Sequence, residues 1–290
     1  MAELIQLSIN GLANGSILAL AALGFVIIYK ATGVINFAQG QFLAIGAYLV
    51  YTGVQVFHLP WPLAILLAMA AGVVIGVSVE RFVLRPLVGE QAVAVIMVTI
   101  GLAAFLQAVV QLIWGTTPLE FPRFIPAGTI TLAGATVPVD RLVAIAVAAV
   151  LLTAFSWFFR RSRSGIAMRA VADDQQAALV MGISVRRVFA LSWALAAVSA
   201  VAGGALVANI LGVSGDLAAF GLVVFPVVIL GGLDSISGTI VGGAVIGLLM
   251  TFTARYVGGG LQTVVPFVVV VLVLLTKPYG LFGQARIERV

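Results

Sequence analysis

The sequence predicts an all-α, polytopic membrane protein, and three observations carry that prediction. Of 290 residues, 62% are hydrophobic, about 180 side chains. Lys, Arg, Asp and Glu together make up only 9%, where soluble domains carry about a quarter, so the chain cannot clothe a water-facing surface. A spanning helix takes roughly 20 apolar residues, and the supply suffices for about nine. The cations, finally, stand at the ends of apolar runs, where membrane proteins hold them. A soluble enzyme, a disulfide scaffold and a disordered chain are excluded. The net charge of +5 is not gathered into a basic run interleaved with aromatics, so it does not point to nucleic acid. With no Cys, one His and ten scattered carboxylates, little remains from which to build a metal centre.

The apolar runs fall, in order, at residues 4–28, 37–56, 61–79, 92–113, 142–159, 188–211, 217–230, 238–256 and 261–275. The first lacks a basic leader and a small-residue cleavage site, and is expected to be a retained span. The seventh is short enough to be re-entrant or broken, which leaves eight or nine spans. With nine spans and the N-terminus outside, Lys30, Arg81, Arg85, Arg160, Arg161, Arg163, Arg169, Arg186, Arg187, Lys277, Arg286 and Arg289 are cytoplasmic. Only Arg123, Arg141 and Arg255 are then external. The positive-inside rule therefore selects N-out, C-in. No linker interrupts the pattern, so residues 1–290 form one domain.

Two connections are more than turns. The external one, residues 114–140, carries Pro118, Pro122, Pro126 and Pro138 with Gly128 and Gly134, and reads as an irregular cap with a short hairpin around residues 129–136. The internal one, residues 160–187, is the most polar stretch. Within the spans, Gly72/Gly76, Gly238/Gly242 and Gly243/Gly247 are four apart, the spacing that lets helix backbones approach closely. Helix breaks are expected at Gly33 through Asn36, Phe37, Gln39 and Gln41, and again at Gly231 and Gly232 with Asp234 to Gly238. Broken helices at membrane depth need protein or water over the exposed backbone. Two of them in two halves point to an internal repeat beside a transport pathway, with local helix capping as the plainer reading of Asn36, Gln39 and Gln41.

Ionisable groups inside the spans are nearly absent, which argues against a chain that harvests an ion gradient itself. Glu80 and Arg81 read as a cytoplasmic edge, and His58 beside Pro60-Trp61 as an interfacial anchor. Gly212-Val213-Ser214-Gly215 matches the motif of rhomboid-type intramembrane proteases, but that nucleophile needs a His base, and His58 lies far upstream. Turn residues explain the match better. The phosphate-loop pattern that would bind ATP does not occur.

The internal loop is the most specific part. Asp173 is expected to cap a short helix, with Gln176 as capping-box partner. Gly182 supplies a left-handed end, and Ser184 caps the next span. Ala177 and Ala178 give this stub a small-residue surface; Leu179, Val180 and Met181 give it apolar knobs. A loop resting on lipid headgroups is one reading, and a docking element for a cytosolic partner is the other.

Gln176-Ala177-Ala178 followed by three residues and Gly182 resembles the Glu-Ala-Ala-x-x-x-Gly coupling loop of bacterial ABC-importer permeases, with Gln in place of Glu. More of the chain resembles one branch, the branched-chain amino-acid permeases of the LivH type. The resemblance runs through Gly11-Leu12-Ala13-Asn14-Gly15-Ser16-Ile17, Gly33-Val34-Ile35-Asn36-Phe37-Ala38-Gln39-Gly40, Arg169-Ala170-Val171-Ala172-Asp173-Asp174 with Met181-Gly182-Ile183, Gly231-Gly232-Leu233-Asp234-Ser235-Ile236-Ser237-Gly238 and Lys277-Pro278-Tyr279-Gly280-Leu281-Phe282-Gly283. Gln39 stands where His is frequent and Lys277 where Arg is frequent.

The resemblance implies a fold like that of the large, vitamin-importer-like permeases. It implies a non-catalytic subunit in the bacterial inner membrane, binding no cofactor of its own. Its partners would be a second, LivM-like permease (or another copy of this chain), two cytosolic ATPases carrying ATP and Mg, and a periplasmic binding protein. Arg169, Asp173, Asp174, Gln176, Ala177, Ala178 and Gly182 would couple to the ATPases. Asn36, Phe37, Gln39, Gln41, Gly231 and Gly232 would serve gate or pathway. The cargo would be branched-chain amino acids, although related permeases carry urea, amides or carboxylates. A stand-alone channel is the alternative from another class.

Overall fold

The computed structural model describes residues 2–121, 123–125, 128–132 and 134–283; Pro122, Pro126, Arg286 and Arg289 lie outside the described residues. In chain order the elements are α1 (Ala2–Thr32), α2 (Gln39–Tyr51), α3 (Trp61–Val79), α4 (Ala92–Trp114), β1 (Thr129–Leu132), β2 (Ala135–Pro138), α5 (Val139–Arg161), α6 (Arg163–Asp173), α7 (Gln175–Val180), α8 (Val185–Leu211), α9 (Phe220–Gly231), α10 (Ile236–Tyr256) and α11 (Val265–Thr276). The hairpin stands where the external cap was expected, with Thr129 opposite Pro138 and Leu132 opposite Ala135. Among the described residues, six helices are long and apolar enough to cross a membrane. The second and ninth runs give shorter helices than their length predicts. The second loses its first residues to a break and its last five to a π-turn (Thr52–Val56). The ninth is trimmed by Gly258-Gly259-Gly260, residues that disfavour helix.

Two antiparallel helices, α1 and α8, form the centre, and most of their residues are buried. The hydroxyl of Ser199 donates to the carbonyl of Leu20 across this contact. A Cβ added at Gly24 would stand 2.9 Å from the Ala196 carbonyl, so glycine sets the approach. The remaining helices pack crosswise: α2 and α3 rest on α8, while α9 and α10 rest on α1. Glycine carries these crossings too, at Gly72 and Gly76 against α8 and at Gly243 and Gly247 against α1. The chain thus repeats one unit of long helix, break, short helix and long helix. Because α1 and α8 are antiparallel, the second copy is inverted.

This corrects the expected pairing of breaks. The counterpart of residues 33–38 is residues 212–219, which follow α8 as the first break follows α1. Gly231 and Gly232 instead form the turn into α10, at the bundle end that carries Lys30, Arg160 and Arg161, here called the basic end. The break after α8 is covered by the connection between α4 and α5, where Leu119 and Val213 exchange both backbone hydrogen bonds (2.8 and 3.1 Å). The side-chain carbonyl of Asn209 accepts from the amides of Phe124 and Ile125 at 3.0 and 3.3 Å. Backbone that lipid could not satisfy is satisfied by protein.

Candidate functional site

The polar connection folds into two helices rather than one stub. Ser162 opens α6, accepting from the Gly165 amide at 2.9 Å, and the buried Met168 and Val171 fix α6 against α1, α5 and α8. Asp173 is the last residue of α6, so the expected cap shifts by one. Asp174 leaves helical geometry (φ −154°, ψ 110°) and its carboxylate accepts from Gln176 and Ala177 at 2.8 and 2.9 Å. Gln176 is thereby a capped residue rather than a reciprocal capping partner. At the far end Gly182, with φ +80°, lets its own amide reach the Leu179 carbonyl (3.0 Å) and the Ile183 amide reach the Ala178 carbonyl (2.9 Å). That double closure is a Schellman motif, and a side chain at that φ would be strained. Ser184 then caps α8. A helix of 6 residues has little stability of its own, and α7 exists because both ends are closed.

The face α7 presents differs from the expectation at one residue. Ala177 is exposed, but Ala178 is buried and seats the helix against the bundle. Val180 and Met181 stand out at 88% and 80% exposure, with Leu179 beside them at 57%. The outward tip is therefore aliphatic and thioether surface on the most polar part of the chain.

The first break reaches deeper than a boundary turn. Gln39 donates to the Ala21 carbonyl at 3.4 Å. From Gly24 to Thr32 is about 12 Å of helix, so residues 33–38 must run back into the bundle beside it. Asn36 accepts from the Ala38 amide at 3.0 Å and donates to Gln39 at 3.3 Å, and Asn36, Gln39 and Gln41 are all buried. Asn36 thus closes an Asx turn ahead of α2 inside the bundle, while the N-cap position itself is Ala38, which carries no side-chain cap. Phe37 lies against Phe225 of α9, with ring centroids 4.8 Å apart, and Phe25 of α1 meets the same ring at 5.2 Å. The N-terminal ends of α2 and α9 cross here. A Cβ on Gly40 would stand 2.7 Å from the Gly221 Cα.

At the basic end, Gly231 packs directly on Gly238, and Gly232 takes φ +104°. The C-terminal segment docks on this turn: the amides of Leu281 and Phe282 donate to the carbonyls of Leu230 and Gly231 at 2.8 and 3.1 Å. The two terminal motifs of the resemblance are thus one structural contact. The breaks at Asn36 and Gly231 are not brought together by it.

A cavity of about 410 Å³ links α7 to the first break. Gln175 of α7, Tyr29 of α1, residues 33–35 and Trp193 of α8 share its wall with Glu80 and Arg85. Glu80, read from the sequence as an edge residue, is 1% exposed. Arg85 neutralises it with two hydrogen bonds, 3.1 and 2.6 Å, the forked geometry that makes such pairs strong. Their spacing of five places them on different faces of a regular α-helix, but the π-turn Glu80–Leu84 brings them together. Sequence reasoning missed this pair, and the nearest signal was a carboxylate standing just before a Pro-bearing break. It also missed Thr99, whose hydroxyl donates to the Ile35 carbonyl at 3.2 Å and holds the broken segment against α4.

A helical bundle with inverted, broken repeats and six helices long and apolar enough to cross a membrane among the described residues defines the class: a multi-pass helical membrane protein. Residues 7–274 match the family model described as branched-chain amino acid transport system / permease component, and the chain belongs to that family. It is 31% identical to the high-affinity branched-chain amino acid transport system permease protein BraD of Pseudomonas aeruginosa, covering 99% of this chain and 98% of that protein. LivH of Escherichia coli K12, with the same description, is 31% identical across 99% of this chain and 97% of its own length. A probable LivH of Methanocaldococcus jannaschii is 28% identical over 92% of this chain and 89% of its own.

Proposed function

We propose that this chain is one of two membrane-spanning permease subunits of an ATP-driven importer in the bacterial inner membrane. It passes branched-chain or related small amino acids handed over by a periplasmic binding protein. The basic end faces the cytoplasm, N-out and C-in, as the positive-inside rule requires. ATP and Mg belong to two partner ATPases, and a LivM-like permease supplies the other half of the pathway. The observation that carries this reading is α7, closed at both ends and presenting Leu179, Val180 and Met181 outward. Exposed apolar surface at a polar face is the mark of a partner site.

Closure of the ATPase dimer presses on the α7 tip, and the caps let the helix move as a unit instead of fraying. Gln175 carries the displacement to the shared cavity wall, where residues 33–35 lead into Asn36, Phe37, Gln39 and Gln41. Gly231 and Gly232, braced by the C-terminal segment, form the second gate element. The halves then rock as rigid bodies around the α1–α8 contact. No side chain here needs to react, and affinity for cargo resides in the external receptor.

Reconstitution tests the proposal. Proteoliposomes holding this chain with a partner permease, ATPases and binding protein are expected to accumulate leucine only when ATP is present. Leucine flux through the purified chain alone, without ATP, would replace the importer with a channel.

A further inference from the structure

A second cavity, about 290 Å³, lies at the basic end and plays no part in the mechanism above. Its wall brings together Lys30 from the end of α1, Arg160 from the end of α5 and Arg169 from α6, with Asp234, Ser235 and Ser237 at the start of α10. Lys30 donates to the Asp234 carbonyl at 3.1 Å and Arg169 to the Arg160 carbonyl at 3.4 Å, so backbone oxygens hold the cations in place. Among the described residues of the wall, three cations less one acidic residue, Asp234, leave two net positive charges.

The N-terminus of α10, a helix of 21 residues, opens into the same space and adds its positive dipole end. Ser235 caps that helix through the Gly238 amide at 3.0 Å, and its hydroxyl stands 3.3 Å from that of Ser237. Cations from three elements, a helix N-terminus and two hydroxyls make a receptor for a phosphate. The depth of the pocket says which phosphate. It sits where the apolar stretches of α1 and α5 meet their terminal cations. Phe282 in its wall is 48% exposed, as an aromatic at a headgroup boundary is.

We propose that this pocket binds the phosphate of an anionic phospholipid in the leaflet at the basic end. Basic pockets between helices at that level are the places where such headgroups dock. A phosphate held there joins α6 to α1 and α10. It thus fixes the element that precedes α7 against the bundle, and lipid composition becomes an input to coupling. The assignment does not depend on which solute the chain carries.

The full chain, in nanodiscs of phosphatidylcholine with or without phosphatidylglycerol, tests it by native mass spectrometry after release. Selective retention of phosphatidylglycerol by the unaltered chain is expected, and equal retention of both lipids would overturn the site. Each Lys or Arg near the surface contributes about fivefold in affinity. Lys30→Gln with Arg160→Gln is therefore expected to weaken retention by about 25-fold, while Arg187→Gln, exposed on the same end, leaves it unchanged. A comparable loss from Arg187→Gln would reduce the effect to diffuse surface charge. Inorganic phosphate added to neutral discs separates the sources: if it protected the chain against heating as well as phosphatidylglycerol does, the ligand would be a free phosphate and the lipid assignment would fail.

Discussion

Val180→Asp or Met181→Asp is expected to cut leucine uptake by the reconstituted importer about 30-fold or more, with membrane insertion and thermal stability unchanged. Both side chains are almost fully exposed, so a carboxylate there costs the isolated chain nothing. In the assembled importer it would be buried against an ATPase, and losses at the centre of an interface run to about 2 kcal/mol or more, roughly 30-fold. Ala177→Arg is expected to act in the same direction, because Ala177 lies on the exposed side of α7. Ala178→Arg is a different experiment. Ala178 is buried, so Arg there unseats α7 from the bundle and lowers stability together with uptake. Uptake that survived Val180→Asp and Met181→Asp would remove α7 from the coupling path.

Gly40→Ala is expected to destabilise the bundle by about 1–3 kcal/mol, the usual cost of forcing atoms into a packed contact. The added methyl would stand 2.7 Å from the Gly221 Cα, and neither neighbouring backbone can rotate away. Gly101→Ala in α4 is the matched control. Nothing lies within 4 Å of its Cβ position, so the better helix former is expected to be neutral or stabilising by up to about 1 kcal/mol. Thermal unfolding in detergent reads both. Equal behaviour of the two variants would show that the α2–α9 crossing is not the close contact described.

The membrane class and the order of helices were legible because bilayer hydrocarbon is a coarse, strict reader of apolar runs. The ends of α7 were legible as well, because Gly182 and Ser184 are local signals, whereas the choice between Asp173 and Asp174 was not. Adjacent aspartates are equivalent caps in sequence, and only the packing of Met168 and Val171 extends α6 through Asp173 and passes the role on. The inward side of Ala178 was hidden for a related reason: a helix of under two turns has too few residues to show a face. The pairing of residues 33–38 with 212–219 depends on α1 and α8 lying antiparallel, a relation no local spacing encodes. Glu80 and Arg85 meet only because α3 ends in a π-turn.

Coupling requires the α7 tip to meet a nucleotide-hydrolysing neighbour. The chain has no cysteine, so Met181→Cys introduces the one thiol of this subunit for a bifunctional cross-linker in the purified complex. The expected result is one adduct, to an ATPase subunit, whose yield changes when ATP is added. A thiol at position 181 that reacts freely with water-soluble reagent in the intact complex, and joins to no ATPase in any nucleotide state, would contradict it.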